Sequence, residues 1–104
     1  MGADLKLLYE VMVGYYGCQF NVRTRKRFFS DKKAMYSYVG RKLGATYQAI
    51  ANELGLNHTS VVHGEDIMEE LIAADPAFNR QLNDIMDEYE FRQWAGILVG
   101  SESE

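Results

Sequence analysis

Cysteine is almost missing. The chain has a single one, Cys18, so no internal disulfide can form. That excludes a disulfide-stapled secreted scaffold and fits a reducing, cytoplasmic setting. Histidine is nearly as scarce, with only His58 and His63. Two histidines and one cysteine fall short of the roughly four ligands a zinc site takes, and the five-residue gap puts the two rings on different helix faces. No metal is therefore expected. There is no apolar run near 18 residues, which excludes a membrane-spanning helix. The opening MGADLKLLYE has no basic segment ahead of its apolar residues, so it does not read as a signal peptide. No glycine-rich phosphate loop ending in Lys-Ser/Thr occurs, and Gly40–Gly44 (GRKLG) is not one, so neither a nucleotide nor another cofactor is expected. His58 has no acid or nucleophile nearby at a spacing that implies a catalytic site. The expectation is a protein that is not an enzyme. Asn57-His58-Thr59 matches a glycosylation sequon, which carries no meaning without an export signal. Strand-like alternation, internal repeats, linkers and low-complexity segments are all missing, apart from the polar tail at 101–104.

What is present is ordinary in amount and uneven in placement. A length of 104 residues suits one domain with a modest core, and 47% hydrophobic with 25% charged residues is a normal globular balance. The formal net charge is −4, which by itself suggests no nucleic-acid partner. Residues 22–42, however, carry Arg23, Arg25, Lys26, Arg27, Lys32, Lys33, Arg41 and Lys42 against Asp31 alone, a local charge of +7. Residues 43–104 carry −10. Phosphate responds to the local field within about 8 Å, a Debye length, so the segregation matters more than the total.

Apolar spacing predicts helices throughout. Asp4 caps a first helix carrying Leu5, Leu8, Tyr9, Met12, Val13 and Tyr16, closed by Gly17. Residues 18–29 have no helical period and read as an irregular basic arm. Ser30 is the expected cap of a second helix with Met35, Tyr38, Val39 and Leu43, ended by Gly44. Thr46 caps a short third helix, with Tyr47, Ile50, Ala51 and Leu54 on its buried side and Gly55 at its end. Asn57 caps a fourth, carried by Val61, Val62, Ile67 or Met68, Leu71 and Ile72 to about Ala74. Asp75 with Pro76, the one proline, opens a fifth through Phe78, Leu82, Ile85, Met86 and Tyr89, running on through Trp94 to Val99. The expected fold class is all-α, a single five-helix domain over 1–104 with a long acidic last helix. Of Tyr9, Tyr16, Phe28, Phe29, Tyr36, Tyr38 and Trp94, about three in four are expected in the core.

Ala51, Gly55 and Val61 stand four and then six apart. That is helix-turn-helix spacing: a small residue where two helices touch, a glycine in the turn, and a branched residue on the second helix. In such a unit the first residues of the second helix face base edges in the major groove. Here they are Asn57, His58, Thr59 and Ser60. Asn can pair with adenine through two hydrogen bonds, and Thr offers a hydroxyl and a methyl. The same run caps the helix, and a helix N-terminus favours phosphate.

These segments resemble the C-terminal DNA-binding domain of the bacterial replication initiator DnaA, over about residues 5–89. VMVGYYGCQF resembles its first helix, RTRKRFFSDKKAMYSYVGRKL its basic loop and long second helix, and LNHTSVVHG its Asp-His-Thr-Thr-Val signature. The resemblance implies a five-helix, Trp-repressor-like fold that binds a double-stranded DnaA-box-like site in replication initiation or its regulation. The setting it implies is the nucleoid of a bacterium, or a phage or mobile element. It puts the family's base-reading residues on Asn57, His58, Thr59 and Ser60. Its minor-groove arginine falls on Arg25, with Arg27 as the neighbouring alternative, and its second-helix arginine on Lys33. Charge alone adds Arg23, Lys26 and Lys42 as DNA contacts, with Arg41 as a further candidate for phosphate. Asn57 replaces the family's Asp, Ser60 its second Thr, and Ala34 its Gln, and the turns on both sides of the third helix are each one residue shorter. The family's initiator is a multidomain ATPase, whereas the expectation here is a free-standing domain of that type, with residues 90–104 as an extension. A second expectation comes from Asp84, Asp87, Glu88 and Glu90. They suit an interaction module whose acidic helix covers the basic loop or binds a protein partner.

Overall fold

The computed structural model describes the backbone of residues 3–102 and the side chains of residues 3–96. Among them are five helices and no strand: α1 (Leu5–Tyr16), α2 (Arg27–Lys42), α3 (Tyr47–Leu54), α4 (His58–Ala74) and α5 (Pro76–Glu102). No helix among the described residues is long and apolar enough to cross a membrane.

Three of the expected caps hold by direct hydrogen bonds. The Asp4 carboxylate accepts from the Leu7 N–H (3.1 Å), the Thr46 hydroxyl from Ala49 (3.1 Å), and the Asn57 side-chain oxygen from Ser60 (2.8 Å). Gly17 and Gly55 close α1 and α3 in the left-handed region, at φ 77° and 67°. A side chain there would be strained, which is why glycine ends both helices.

The start of α2 differs from the expected one. The helix opens at Arg27, with Lys26 at the cap position, so Ser30 lies in its first turn and is not its cap. Local pairs that a scan for apolar period does not register hold the extra turn. Arg27 Nε lies 3.3 Å from the Asp31 carboxylate, one turn on. Lys32 sits over the Phe28 ring at 3.6 Å and donates to the Phe28 carbonyl (3.1 Å). Phe28 and Phe29 meet edge to face. Arg27 therefore belongs to a helix and not to the irregular arm. On α4, Met68 is the buried residue of the pair 67–68, and Ile67 is exposed.

The core gathers around α2. Tyr36 is fully buried and donates to the Leu5 carbonyl (3.0 Å), with the Tyr9 and Phe20 rings each 6.1 Å away. Tyr16, Phe29 and Tyr38 pack on the core as half-buried residues, whereas Phe28 and Trp94 are 57% and 60% exposed. α5 packs on α1 through Tyr89, whose hydroxyl accepts from the Asp4 N–H (2.9 Å), and through Tyr16 and Tyr15, which donate to Gln81 and Asp84. Burial raises the pKa of Tyr16 and Tyr36 far above the usual phenol range, so both stay neutral donors.

The most extensive helix–helix contact is that of α2 and α4. A Cβ built on Gly64 would meet the Ala34 Cα at 3.5 Å, the Ala34 Cβ at 3.7 Å and the Ser37 Oγ at 3.8 Å. Small residues on both sides let the helices approach. These distances are ordinary van der Waals contacts, so one methyl fits and a larger side chain does not. Gly64→Ala is expected to stabilise the domain by about 0.5–1 kcal/mol through lower helix entropy cost, and Gly64→Leu to destabilise it. Urea denaturation of both variants checks this. A loss of stability in the alanine variant would show that the crossing has no room.

Candidate nucleic-acid interface

α3 and α4 are joined by Gly55, Leu56 and Asn57. Ala51, Leu54 and Val61 are buried at their junction, while Asn57, His58, Thr59 and Ser60 are all exposed. The first turn of α4 is thus held from behind by apolar residues and open in front. Asn57 spends its oxygen on the Ser60 N–H, so its amide N–H groups are the main donors left for a base. His58 sets its ring edge-on to Tyr47, with centroids 5.2 Å apart. Tyr47 donates to the Glu65 carboxylate, and Arg41 lies over the Tyr47 ring at 4.1 Å. Arg41 also donates to the Ala45 carbonyl (2.9 Å), and its Nε lies 3.9 Å from the Glu65 carboxylate. The hydrogen bond to Glu65, before desolvation, raises the Tyr47 pKa, so Tyr47 remains a neutral prop for His58. Arg41 is committed to this cluster.

The basic arm is a fixed segment. Phe20 fills the core, and the Tyr9 hydroxyl accepts from the N–H groups of Phe20 (3.3 Å) and Asn21 (3.1 Å). The Asn21 amide donates to the Glu53 carbonyl at the end of α3 (3.2 Å), and Lys33 donates to the Val22 carbonyl. The Thr24 hydroxyl then accepts from the Lys26 N–H (3.2 Å), a local turn. These bonds lay the arm between α2 and the α3–α4 turn. Arg23, Arg25 and Lys26 are exposed, and none has an ion pair among the described residues.

Two grooves meet along this arm. One, of about 530 Å³, is lined by Arg25 and Lys33 on one side and by Ser60, His63 and Gly64 of α4 on the other. The second, of about 620 Å³, runs past Arg23, Arg25 and Lys33 to Gly55 and Leu56 in the turn. Arg23, Arg25, Lys33 and Ser60 are therefore brought together, and Asn57, His58 and Thr59 stand at the same helix start. Lys26 and Arg27 flank the arm without lining either groove, and Arg27 is paired with Asp31. Lys42 is not brought there. It lies nine residues along α2 from Lys33, about 13 Å by helical rise, beside Tyr38, Glu65 and Glu69. His63, weighed in the sequence only as a metal ligand, is a groove residue. It stands one turn beyond Ser60, and extending the reading face by helical period would have reached it. No group of three or more potential metal ligands is clustered among the described residues.

Among the described residues, no acidic side chain of α5 pairs with the arm. Among the described residues their side-chain partners are local or on α1: Glu88 with Arg92 (2.7 Å) and Asp84 with Tyr15 (3.1 Å). No protein-family model matches the chain, and no match was found among curated proteins or solved structures.

Proposed function

We propose that this chain is a sequence-specific binder of double-stranded DNA. The start of α4 reads base edges in the major groove, and the arm holds the backbone and the adjoining minor groove. The manner is that of the DnaA C-terminal domain, and the setting is replication initiation or its regulation at a DnaA-box-like site. One observation carries this reading: Arg25 and Lys33 line the same groove as Ser60 and His63, beside the open first turn of α4. A fixed arrangement of cations flanking an exposed polar helix start is what joint contact to phosphate and base edges needs. Lys33 keeps two of its three ammonium donors after serving Val22, so it can bridge arm and DNA.

Selection of duplexes from a random library, followed by gel shifts near 0.1 M salt, where the screening length is ~10 Å, tests the proposal. A preferred sequence over scrambled DNA is expected, and no preference would sink it. Thr59→Ala should then weaken the preferred site by about 1–3 kcal/mol while leaving scrambled DNA nearly unchanged. Equal loss on both would mean that the first turn of α4 does not read bases.

A further inference from the structure

His58 is the first residue of α4 and is exposed, yet three helices converge on its ring. Tyr47, the first residue of α3, sets its own ring against the imidazole, and its hydroxyl reaches Glu65. Glu65 lies about two turns beyond His58 on the same face of α4, about 10.5 Å by helical rise. One tyrosine therefore spans both. Arg41, in the last turn of α2, lies over the Tyr47 ring at 4.1 Å and donates to the Ala45 carbonyl just ahead of α3. Its Nε is buried, has no hydrogen-bond partner among the described residues, and stands 3.9 Å from the Glu65 carboxylate.

We propose that Tyr47, Arg41 and Glu65 are positioning residues, which together hold the His58 ring in the orientation in which it meets a base edge. The inference rests on the DNA-binding reading and deepens it, because it names what makes one of the reading residues selective. Two observations carry it. The first is that Tyr47 touches the His58 ring while His58 stays exposed, so the contact orients the ring without covering it. The second is the unpartnered Arg41 Nε. A buried donor left unpaired costs stability, so stability alone does not account for the arrangement. A guanidinium stacked on a ring must follow the plane of that ring, and this holds the Nε out of hydrogen-bond reach of Glu65. Arg41 thus serves as a flat backing for the tyrosine and not as a phosphate contact.

An imidazole that is already oriented loses less rotamer freedom on binding. Without the backing, contact with DNA must itself order the His58 ring. The cost of ordering one side chain corresponds to about three- to tenfold in affinity. It falls on the base pairs that His58 reads and leaves the phosphate contacts of the arm alone.

A double-mutant cycle on a selected duplex, combining Tyr47→Ala with His58→Ala in the full chain, provides the test. Tyr47→Ala alone is expected to lose about three- to tenfold on the preferred site and almost nothing on scrambled DNA. The base pairs at which it loses selectivity should be those that His58→Ala relaxes. In the His58→Ala background it should cause no further loss, since no ring is left to orient. Tyr47→Phe keeps the ring but cuts the tie to Glu65, and should show a smaller part of the same effect. It also keeps the test decisive where the alanine variant does not fold. In the free protein, nuclear Overhauser contacts between the His58 and Tyr47 ring protons are expected, and should persist as His58–Phe contacts in Tyr47→Phe. Equal loss from Tyr47→Ala with and without His58, or equal loss on all duplexes, overturns the proposal and leaves the DNA reading standing. Lack of the ring contacts in the free protein does the same. If the parent chain prefers no duplex, the DNA reading fails and the proposal with it.

Discussion

Replacing Arg23, Arg25 and Lys26 together by alanine is expected to lower affinity for every duplex by a few hundred-fold near 0.1 M salt. Each cation that neutralises a phosphate contributes a slope of about −0.9 in log affinity against log salt, so three removed contacts flatten the slope by about 3. Near 0.1 M that slope amounts to roughly eightfold per contact. The effect should be large because these three side chains are exposed and have no carboxylate partner among the described residues. Among the described residues no carboxylate pairs with them in competition with phosphate, and the backbone that carries them is already fixed by Phe20, Asn21 and Lys33. Arg27→Ala and Lys42→Ala serve as contrasts. Arg27 already pairs with Asp31, and Lys42 stands at the far end of α2, so each should change affinity little. Within the triple, Arg25 is set apart because it lines both grooves. Arg25→Ala should hurt sites with an A·T-rich flank more than G·C-rich ones, since a narrow minor groove concentrates negative potential. Lys26→Ala should weaken all sequences alike. Binding at several salt concentrations on both flanks separates these outcomes. An unchanged salt slope in the triple variant would mean the arm does not touch phosphate.

The helices were legible because their stop and start signals are local chemistry. Asp4, Thr46 and Asn57 bond within their own first turns, and Gly17 and Gly55 take the left-handed backbone that other residues avoid. The start of α2 was not legible, because what holds Arg27–Ser30 is charge and ring pairing one turn apart, not apolar period. The helix crossing was half legible. Ala51 and Gly55 stood out by spacing, but the approach of Gly64 to Ala34 and Ser37, 27–30 residues apart in sequence, did not. Nothing local signals it. Lys42 and His63 show the same limit at the groove. Charge points to the first, and the second drops from view once a metal pair is set aside, so only the packing of α2 against α4 decides which of them faces the arm. The exposure of Trp94 was likewise invisible, because an aromatic at helical spacing reads as core until the helix outruns the body that would bury it.

Phe20→Ala is expected to cost about 3–5 kcal/mol of stability, the range for deleting a fully buried phenyl ring. Stability totals of about 5–15 kcal/mol are usual for a domain, so this one change is expected to bring the protein close to unfolding. Phe20 belongs to no helix, yet its ring is fully buried, 4.6 Å from the Tyr9 centroid, 6.1 Å from Tyr36 and 6.4 Å from Tyr16. It is where the irregular arm enters the core. The arm's other ties are hydrogen bonds at or near the surface, each worth about 1 kcal/mol net. They cannot hold the segment once the ring is gone. The cavity should therefore destabilise the fold and also release Arg23 and Arg25 from their place beside α4. Tyr9→Phe is the milder companion. It removes the hydroxyl that accepts from the N–H groups of Phe20 and Asn21 but keeps the ring, and should cost about 1–3 kcal/mol for the donors left unpaired. Urea denaturation gives the stabilities, and gel shifts at a temperature where both variants remain folded give the binding. The folded Phe20→Ala protein should bind all duplexes more weakly than Tyr9→Phe, because the freed arm must be ordered again on DNA. If Phe20→Ala costs less than about 1 kcal/mol, far below the range for a buried ring, the arm is not anchored in the core. If it costs the full amount while folded protein binds DNA unchanged, the arm's fixed position is irrelevant to binding.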